Sequence, residues 1–345
     1  MRSRRAAMVF ASAAIAVSAG WAWLNLAGAS AAMSEAAEKF LAGLSTEQRA
    51  QAQLEFDSPK RLDWHFIPKP ERKGLQIKHM NTEQRKAALA LLQSGLSEVG
   101  YYKATSIMTL EAILHELEKS KTGGNIRDPE RYYVTVFGEP VNKGRWGWSI
   151  EGHHLSLNFA VSDGQVSSTT PTFFGSNPAE IKGSYGIGPK QGTRVLEKEE
   201  SLGFELLHSL SEEQRKQAVI AEKAPSDIRG PADVQPPANE NVGIPADKLN
   251  DEQRDILWSL VETYAANMPG DVMTERLEAI KAAGPDKLQF AWAGADKPGV
   301  GHYYRIEGPT FVIELSNIQP DAAGNPANHI HSVWRNRAGD FALAP

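Results

Sequence analysis

Trp148-Ser-Ile-Glu-Gly-His153 runs straight into His154-Leu-Ser-Leu-Asn158-Phe159, and its first part recurs as Tyr304-Arg-Ile-Glu-Gly-Pro309 before Thr310-Phe311. Both stretches read as a strand, a glycine-marked turn and a second strand, the unit of an antiparallel meander. In the second strand, Leu155, Leu157 and Phe159 share a face with His153, while His154, Ser156 and Asn158 share the other. The recurrence keeps this period of two: Phe311, Ile313 and Leu315 oppose Thr310, Val312 and Glu314.

Outward from these hairpins, the expected strands are Tyr132–Phe137, Trp146–Ile150, His154–Val161 and Gln165–Phe173. A second set is expected at Leu288–Trp292, Tyr303–Ile306, Thr310–Leu315 and His329–Arg335. Helical signals precede each set. Leu44-Ser-Thr-Glu-Gln-Arg49, Met80-Asn-Thr-Glu-Gln-Arg85, Leu210-Ser-Glu-Glu-Gln-Arg215 and Leu249-Asn-Asp-Glu-Gln-Arg254 each place Ser or Asn at an N-cap and Gln three residues later. That is the capping box, and it explains these triplets without any catalytic role. Ala88, Leu91, Leu92, Leu96 and Val99 fall at helical spacing after the second box, as do Ile256, Leu257, Leu260, Val261 and Tyr264 after the fourth. Leu110-Glu-Ala-Ile113 recurs as Leu277-Glu-Ala-Ile280, which predicts helices around Ile107–Leu117 and Val272–Ala283.

The expected fold is therefore α+β, a tandem duplication in which each copy is a helical segment followed by an antiparallel β meander. Copy one is expected over 32–189 and copy two over 190–345, the two packing as one unit. The proline-rich stretch 225–245 falls where copy one has 57–77, and reads as a loop between helices rather than a linker.

Composition narrows the function. A chain of 345 residues with a net charge of −5 lacks the basic footprint of a nucleic-acid partner. With no cysteine, thiolate sites and cysteine nucleophiles are excluded, so a metal would rest on His, carboxylate or carbonyl groups. No Gly-x-Ser-x-Gly elbow supports Ser-His-Asp catalysis, and the glycines at Gly183, Gly186 and Gly188 lack the spacing of a phosphate cradle. Residues 1–31 read as an export signal, or else an N-terminal anchor. Arg2, Arg4 and Arg5 precede an apolar run to about Leu26, and Ala-x-Ala patterns end at Ala29 or Ala31. A periplasmic or secreted protein is expected, with no membrane contact beyond that segment.

His329 and His331 lie two residues apart on an expected strand and so point to one face, a common start for a metal site. If that face is Glu314's, a set of two His and one carboxylate results, with His154 or His302 completing or replacing it. Zinc, iron, copper and manganese all remain open as the divalent ion. His65, His79, His115 and His208 lie in helical or loop segments and read as ordinary residues. Trp146, Trp148, Tyr303 and Tyr304, with Asn158, suggest an alternative, a groove for a small-molecule or peptide ligand; aromatic alternation equally describes a core.

Several long motifs resemble the exported bacterial proteins grouped as "domain of unknown function 3500". They are Trp146-Gly-Trp148, Glu151-Gly-His-His154-Leu-Ser-Leu-Asn158-Phe, Pro171-Thr-Phe-Phe174-Gly, His302-Tyr-Tyr-Arg-Ile-Glu-Gly-Pro309-Thr-Phe and Asn328-His-Ile-His331-Ser-Val-Trp334-Arg. The resemblance covers nearly all of the chain after the signal segment and implies export but no activity. Two expectations result: a metal-dependent enzyme, hydrolytic or oxidative, on the His-x-His strand, or a non-catalytic binding protein with an aromatic groove.

Overall fold

Each of the four capping boxes forms. Ser45, Asn81, Ser211 and Asn250 accept from the backbone of Gln48, Gln84, Gln214 and Gln253, whose side chains bond back to the cap N–H. These boxes open four helices of a computed structural model that describes residues 28–122 and 127–344. The apolar run read as an export signal lies outside the described residues. The first helix among the described residues, α1 (Ala29–Ala42), begins inside the stretch read as its cleavage region. Among the described residues, no helix is long and apolar enough to cross a membrane.

From α1 the chain continues through α2 (Thr46–Ala52), β1 (Gln53–Leu54), β2 (Leu75–Gln76), α3 (Thr82–Ser94) and α4 (Glu98–Thr122). Strands β3 (Tyr133–Phe137), β4 (Arg145–Gly152), β5 (Leu155–Ser162), β6 (Gln165–Ser168) and β7 (Thr172–Ser176) follow. The second half repeats this order with α5 (Glu197–Ser209), α6 (Glu212–Ala218), β8 (Val219–Ala221), β9 (Ile244–Pro245), α7 (Asp251–Ala265) and α8 (Gly270–Ala283). It closes with β10 (Gln289–Gly294), β11 (His302–Glu307), β12 (Phe311–Asn317) and β13 (Ile330–Asn336). Only β6 lacks a counterpart among the described residues.

One mixed sheet holds all the strands, in the order β1-β3-β4-β5-β7-β13-β12-β11-β10-β8. β2 and β6 attach to β3 and β5, and β9 attaches to β10. The first and last ladders, β1 with β3 and β8 with β10, are parallel; the remaining ladders are antiparallel. The halves meet where β13 runs antiparallel to β7, with His331 opposite Gly175. The α+β class is as expected.

Two boundaries differ from expectation for identifiable reasons. The single strand expected at Gln165–Phe173 is split into β6 and β7, because Pro171 has no N–H to give a ladder. The helix after Asn81 ends at Ser94, so Val99 belongs to α4 and is exposed. Gly95 marks the break: a Cβ there would lie 2.5 Å from a ring carbon of Trp148.

Directly paired residues share a face, so the register sorts the side chains. Trp146, Trp148, Leu157, Phe174, Trp334, Ile313 and Tyr304 lie on the helix-covered face. There Phe204 of α5 packs on Trp292, and Tyr264 of α7 meets the Tyr304 hydroxyl at 2.7 Å. The opposite face carries Glu151, Glu307, Glu314 and His331. Buried carboxylates need cations. The proline-bearing loops supply them: Lys73 lies 2.5 Å from Glu151, and Arg229 lies 2.8 Å from Glu307 and 3.3 Å from Glu314. Trp64, Phe66 and Ile228 from these loops join Phe173, Val333 and Phe341 in a second apolar cluster. Stretch 225–245 is thus a connection within the second half rather than an interdomain linker, its last two residues form β9, and it covers this face of the sheet.

Candidate metal centre

His154 occupies the β4–β5 turn with a φ of 62°, in the left-handed region that a non-glycine residue enters at a cost of about 1 kcal/mol. Two backbone bonds hold it there. Its N–H donates to the Phe66 carbonyl at 2.9 Å, and its carbonyl accepts from Gly175 at 2.8 Å. His329 just precedes β13, its N–H donating to the Asn317 side-chain oxygen at 2.9 Å. His331 follows two residues later and projects from the loop-covered face. Gly175, opposite it, leaves the space the rings need: a Cβ there would meet His154 Cδ2 at 3.0 Å.

The three imidazoles converge through one kind of atom. His154 Nε2 lies 2.7 Å from His329 Nε2, which lies 3.1 Å from His331 Nε2. Three nitrogens bound tetrahedrally at about 2.0–2.1 Å from one zinc would be about 3.3 Å apart. All the candidate ligand atoms of this trio fall within 4.8 Å of one another.

The outer atoms of the rings are also held. His331 Nδ1 is 2.8 Å from Asp227 Oδ1, the carboxylate contact that fixes a ligating imidazole's tautomer and raises its basicity. Its ring lies edge-on to Phe66 and Phe173. His329 Nδ1 lies 3.3 Å from the Asn177 amide nitrogen, while Asn177 Oδ1 is buried without a partner. Turning that amide over gives Oδ1 the N–H that His329 would present at Nδ1 with a metal at Nε2. One rotation satisfies both groups.

Burial and neighbouring imidazoles favour the neutral form of His154 and His329. Burial, followed by His153, His329 and His331, pulls the His154 imidazole well below its usual range. Burial, then His331, His153 and Arg127, pulls His329 down to about 2. The neutral ring is the form that binds a cation. Beside them, His153 lies with its ring 3.7 Å from His154, and its Nδ1 is 2.5 Å from Glu111 Oε1. Burial outweighs Glu111 there and lowers His153 also. Arg127 reaches His153 Nδ1 at 2.9 Å and is itself paired with Glu118.

Of the residues singled out from sequence, His154, His329 and His331 come together, and Glu314 and His302 do not join them. Glu314 has the expected face, since its neighbour Ser316 pairs with His331. Its carboxylate is engaged instead by the Arg229 N–H at 3.0 Å and the Tyr303 hydroxyl at 2.5 Å. His302 pairs with Asn317 on the helix-covered face, against Phe204 and Trp292 and 3.2 Å from Glu200. His154, one of the two expected alternatives, therefore stands where Glu314 was expected, and His302 does not.

The aromatic groove does not form from its expected residues. Trp146, Trp148, Tyr303 and Tyr304 are at most 1% exposed, Trp146, Trp148 and Tyr304 on one face and Tyr303 on the other. Asn158 is buried and donates to the Pro171 carbonyl at 3.0 Å. Sequence reading missed Asp227, Asn177 and the His153–Glu111 pair. Asp227 carried no signal, because a carboxylate 104 positions from His331 sits in a loop of no periodicity. The Glu111 signal was present: it belongs to the recurring Leu-Glu-Ala-Ile, yet Glu111 is buried where Glu278 is exposed.

One family's sequence model, described as "Protein of unknown function (DUF3500)", matches residues 27–343, nearly the whole chain. No curated protein and no solved structure matches.

Proposed function

The chain belongs to this family of unknown function, and on the geometry of the three imidazoles we propose that it is an exported metal-dependent enzyme, hydrolytic or oxidative. The convergence of His154, His329 and His331 Nε2, with Asp227 behind His331, carries the reading. Three protein ligands leave a coordination position open, where a bound ion activates water or binds oxygen. An all-imidazole set suits zinc, copper or iron better than manganese, which prefers oxygen ligands. Asp227 and Asn177 would orient the rings, Phe66 and Phe173 would keep bulk water from His331, and Glu111 would hold the His153 ring against His154.

Export rests on the arginine-flanked apolar segment before Ala27. The matching order of elements and the paired capping boxes support reading the halves as tandem copies, 32–189 and 190–345, of which the first contributes His154 and the second the His-x-His pair.

The test is elemental analysis of tag-free protein prepared without chelator, beside His329→Ala/His331→Ala and Asp227→Asn. We expect near one equivalent of zinc, copper or iron, absent from the double variant, and an affinity about 10–100-fold weaker in Asp227→Asn. Unchanged metal content in the double variant, or protein still metal-free after reconstitution with each ion, would overturn it.

A further inference from the structure

A cavity of about 150 Å³ opens between α8, the β6–β7 segment and the ends of β12 and β13, away from any of the three imidazoles. It has room for several waters or a small organic molecule. Phe311 and Trp334 form an apolar wall, and Ser168, Thr169 and Thr310 supply hydroxyls.

Arg276 of α8 also lines it, beside the exposed Glu275, and the bonding of Arg276 is incomplete. Nη2 donates to the hydroxyl and, at 3.4 Å, to the carbonyl of Thr169, and the guanidinium carbon sits 4.8 Å over the Trp334 ring. Nη1 is shut off from solvent and has no hydrogen-bond partner. Among the described residues no carboxylate lies within ion-pair distance; Glu275 and Asp340 act only from further away. Burial pulls the guanidinium down to about 10, so it stays charged at neutral pH. A buried donor left unmade costs about 1–3 kcal/mol, more when charged. Lys73 and Arg229 are paired with carboxylates, whereas Arg276 is not and lines a cavity.

We propose that this cavity binds the carboxylate of a small organic acid, with Arg276 Nη1 as its charged donor. The planar fork matches a carboxylate, the hydroxyls of Thr169 and Thr310 can bond its second oxygen, and Phe311 and Trp334 receive the carbon skeleton. An inorganic anion would use the charge and leave the apolar wall empty. The site is independent of the metal reading.

Calorimetric titration of the purified full chain at pH 7 and constant ionic strength tests this, with acetate, propanoate and benzoate against chloride and inorganic phosphate. We expect saturable binding of at least one carboxylate, with chloride and phosphate inert. Arg276→Gln should weaken it roughly tenfold or more, the loss of a charge-assisted bond. Ala279→Trp, on the exposed side of α8 at the cavity mouth, should block binding while keeping Arg276 and the fold. His329→Ala/His331→Ala should leave it intact, separating this site from carboxylates bound to a metal. No saturable carboxylate binding, preference for phosphate, or binding unchanged in Ala279→Trp would each overturn the proposal.

Discussion

Glu314 and Glu200 show how neighbours decide what a carboxylate does. Period-two alternation placed Glu314 on the correct face, but Arg229, 85 positions away, claimed its oxygens. A face is legible in a strand; a partner from a distant loop is not. For His302 the parity decided nothing in the sequence, since the adjacent Tyr303 and Tyr304 put aromatic rings on both faces of the strand. Glu200 gives the residue-scale prediction. Burial raises its carboxyl, yet the His302 contact, Asn317 and Arg194 outweigh burial and hold it at about 2, against an ordinary 4.5. The folded state therefore favours the ionised form. This contribution is fully present above pH 4.5 and is lost as pH falls from about 4.5 towards 2. At some 1.4 kcal/mol per unit it is on the order of 3 kcal/mol. Urea unfolding midpoints measured between pH 7 and 3 should fall more steeply in wild type than in Glu200→Gln.

Among elements, the capping boxes were the most legible features, because cap and return bond lie within four residues and need no tertiary partner. What they do next was not legible. Gln48 and Gln84 bond to each other at 2.7 and 3.1 Å, as Gln214 and Gln253 do at 2.9 Å, so each half ties two helix starts together. Gln253 also donates to the Ser209 carbonyl at 2.7 Å, at the end of α5. A cap that joins three helices should cost more to remove than a solitary one. Asn250→Ala should lower stability by about 1 kcal/mol, the ordinary loss of a cap. Gln253→Ala, with the cross-helix bonds gone, should cost about 2 kcal/mol or more. Denaturant midpoints decide, and equal losses would show that the cross-links contribute nothing. The aromatic strands teach the converse: alternation of Trp146 with Trp148 announced a face, and that face met helices rather than solvent. Strand chemistry alone does not say what covers a sheet.

For the whole molecule, the sheet is continuous from β1 to β8, and one antiparallel ladder, β7 with β13, joins the halves. Eight strands were legible from the recurring strand signals; the short β1, β2, β8 and β9, the split between β6 and β7, and the order of strands across the sheet were not. That the two meanders would meet through their last strands rather than their first was not written in any one motif. The metal reading has a consequence at this scale. Binding to the folded state alone stabilises it by about 2.7 kcal/mol at a hundredfold excess over Kd. A chelator should therefore lower the unfolding midpoint of wild type and leave His329→Ala/His331→Ala unmoved; equal shifts in both would argue against a bound ion.

The β7–β13 ladder puts His154 on one side of a join and His329 and His331 on the other. An ion gripped from both sides would act as a rivet through a lap joint, and the joint would in turn set the bite of the ligands. Sliding one strand by a single residue would turn His331 away to the opposite face. The chemistry of this protein would then be tuned by the alignment of its two halves, and a chain nicked between them would stay assembled for as long as the rivet held.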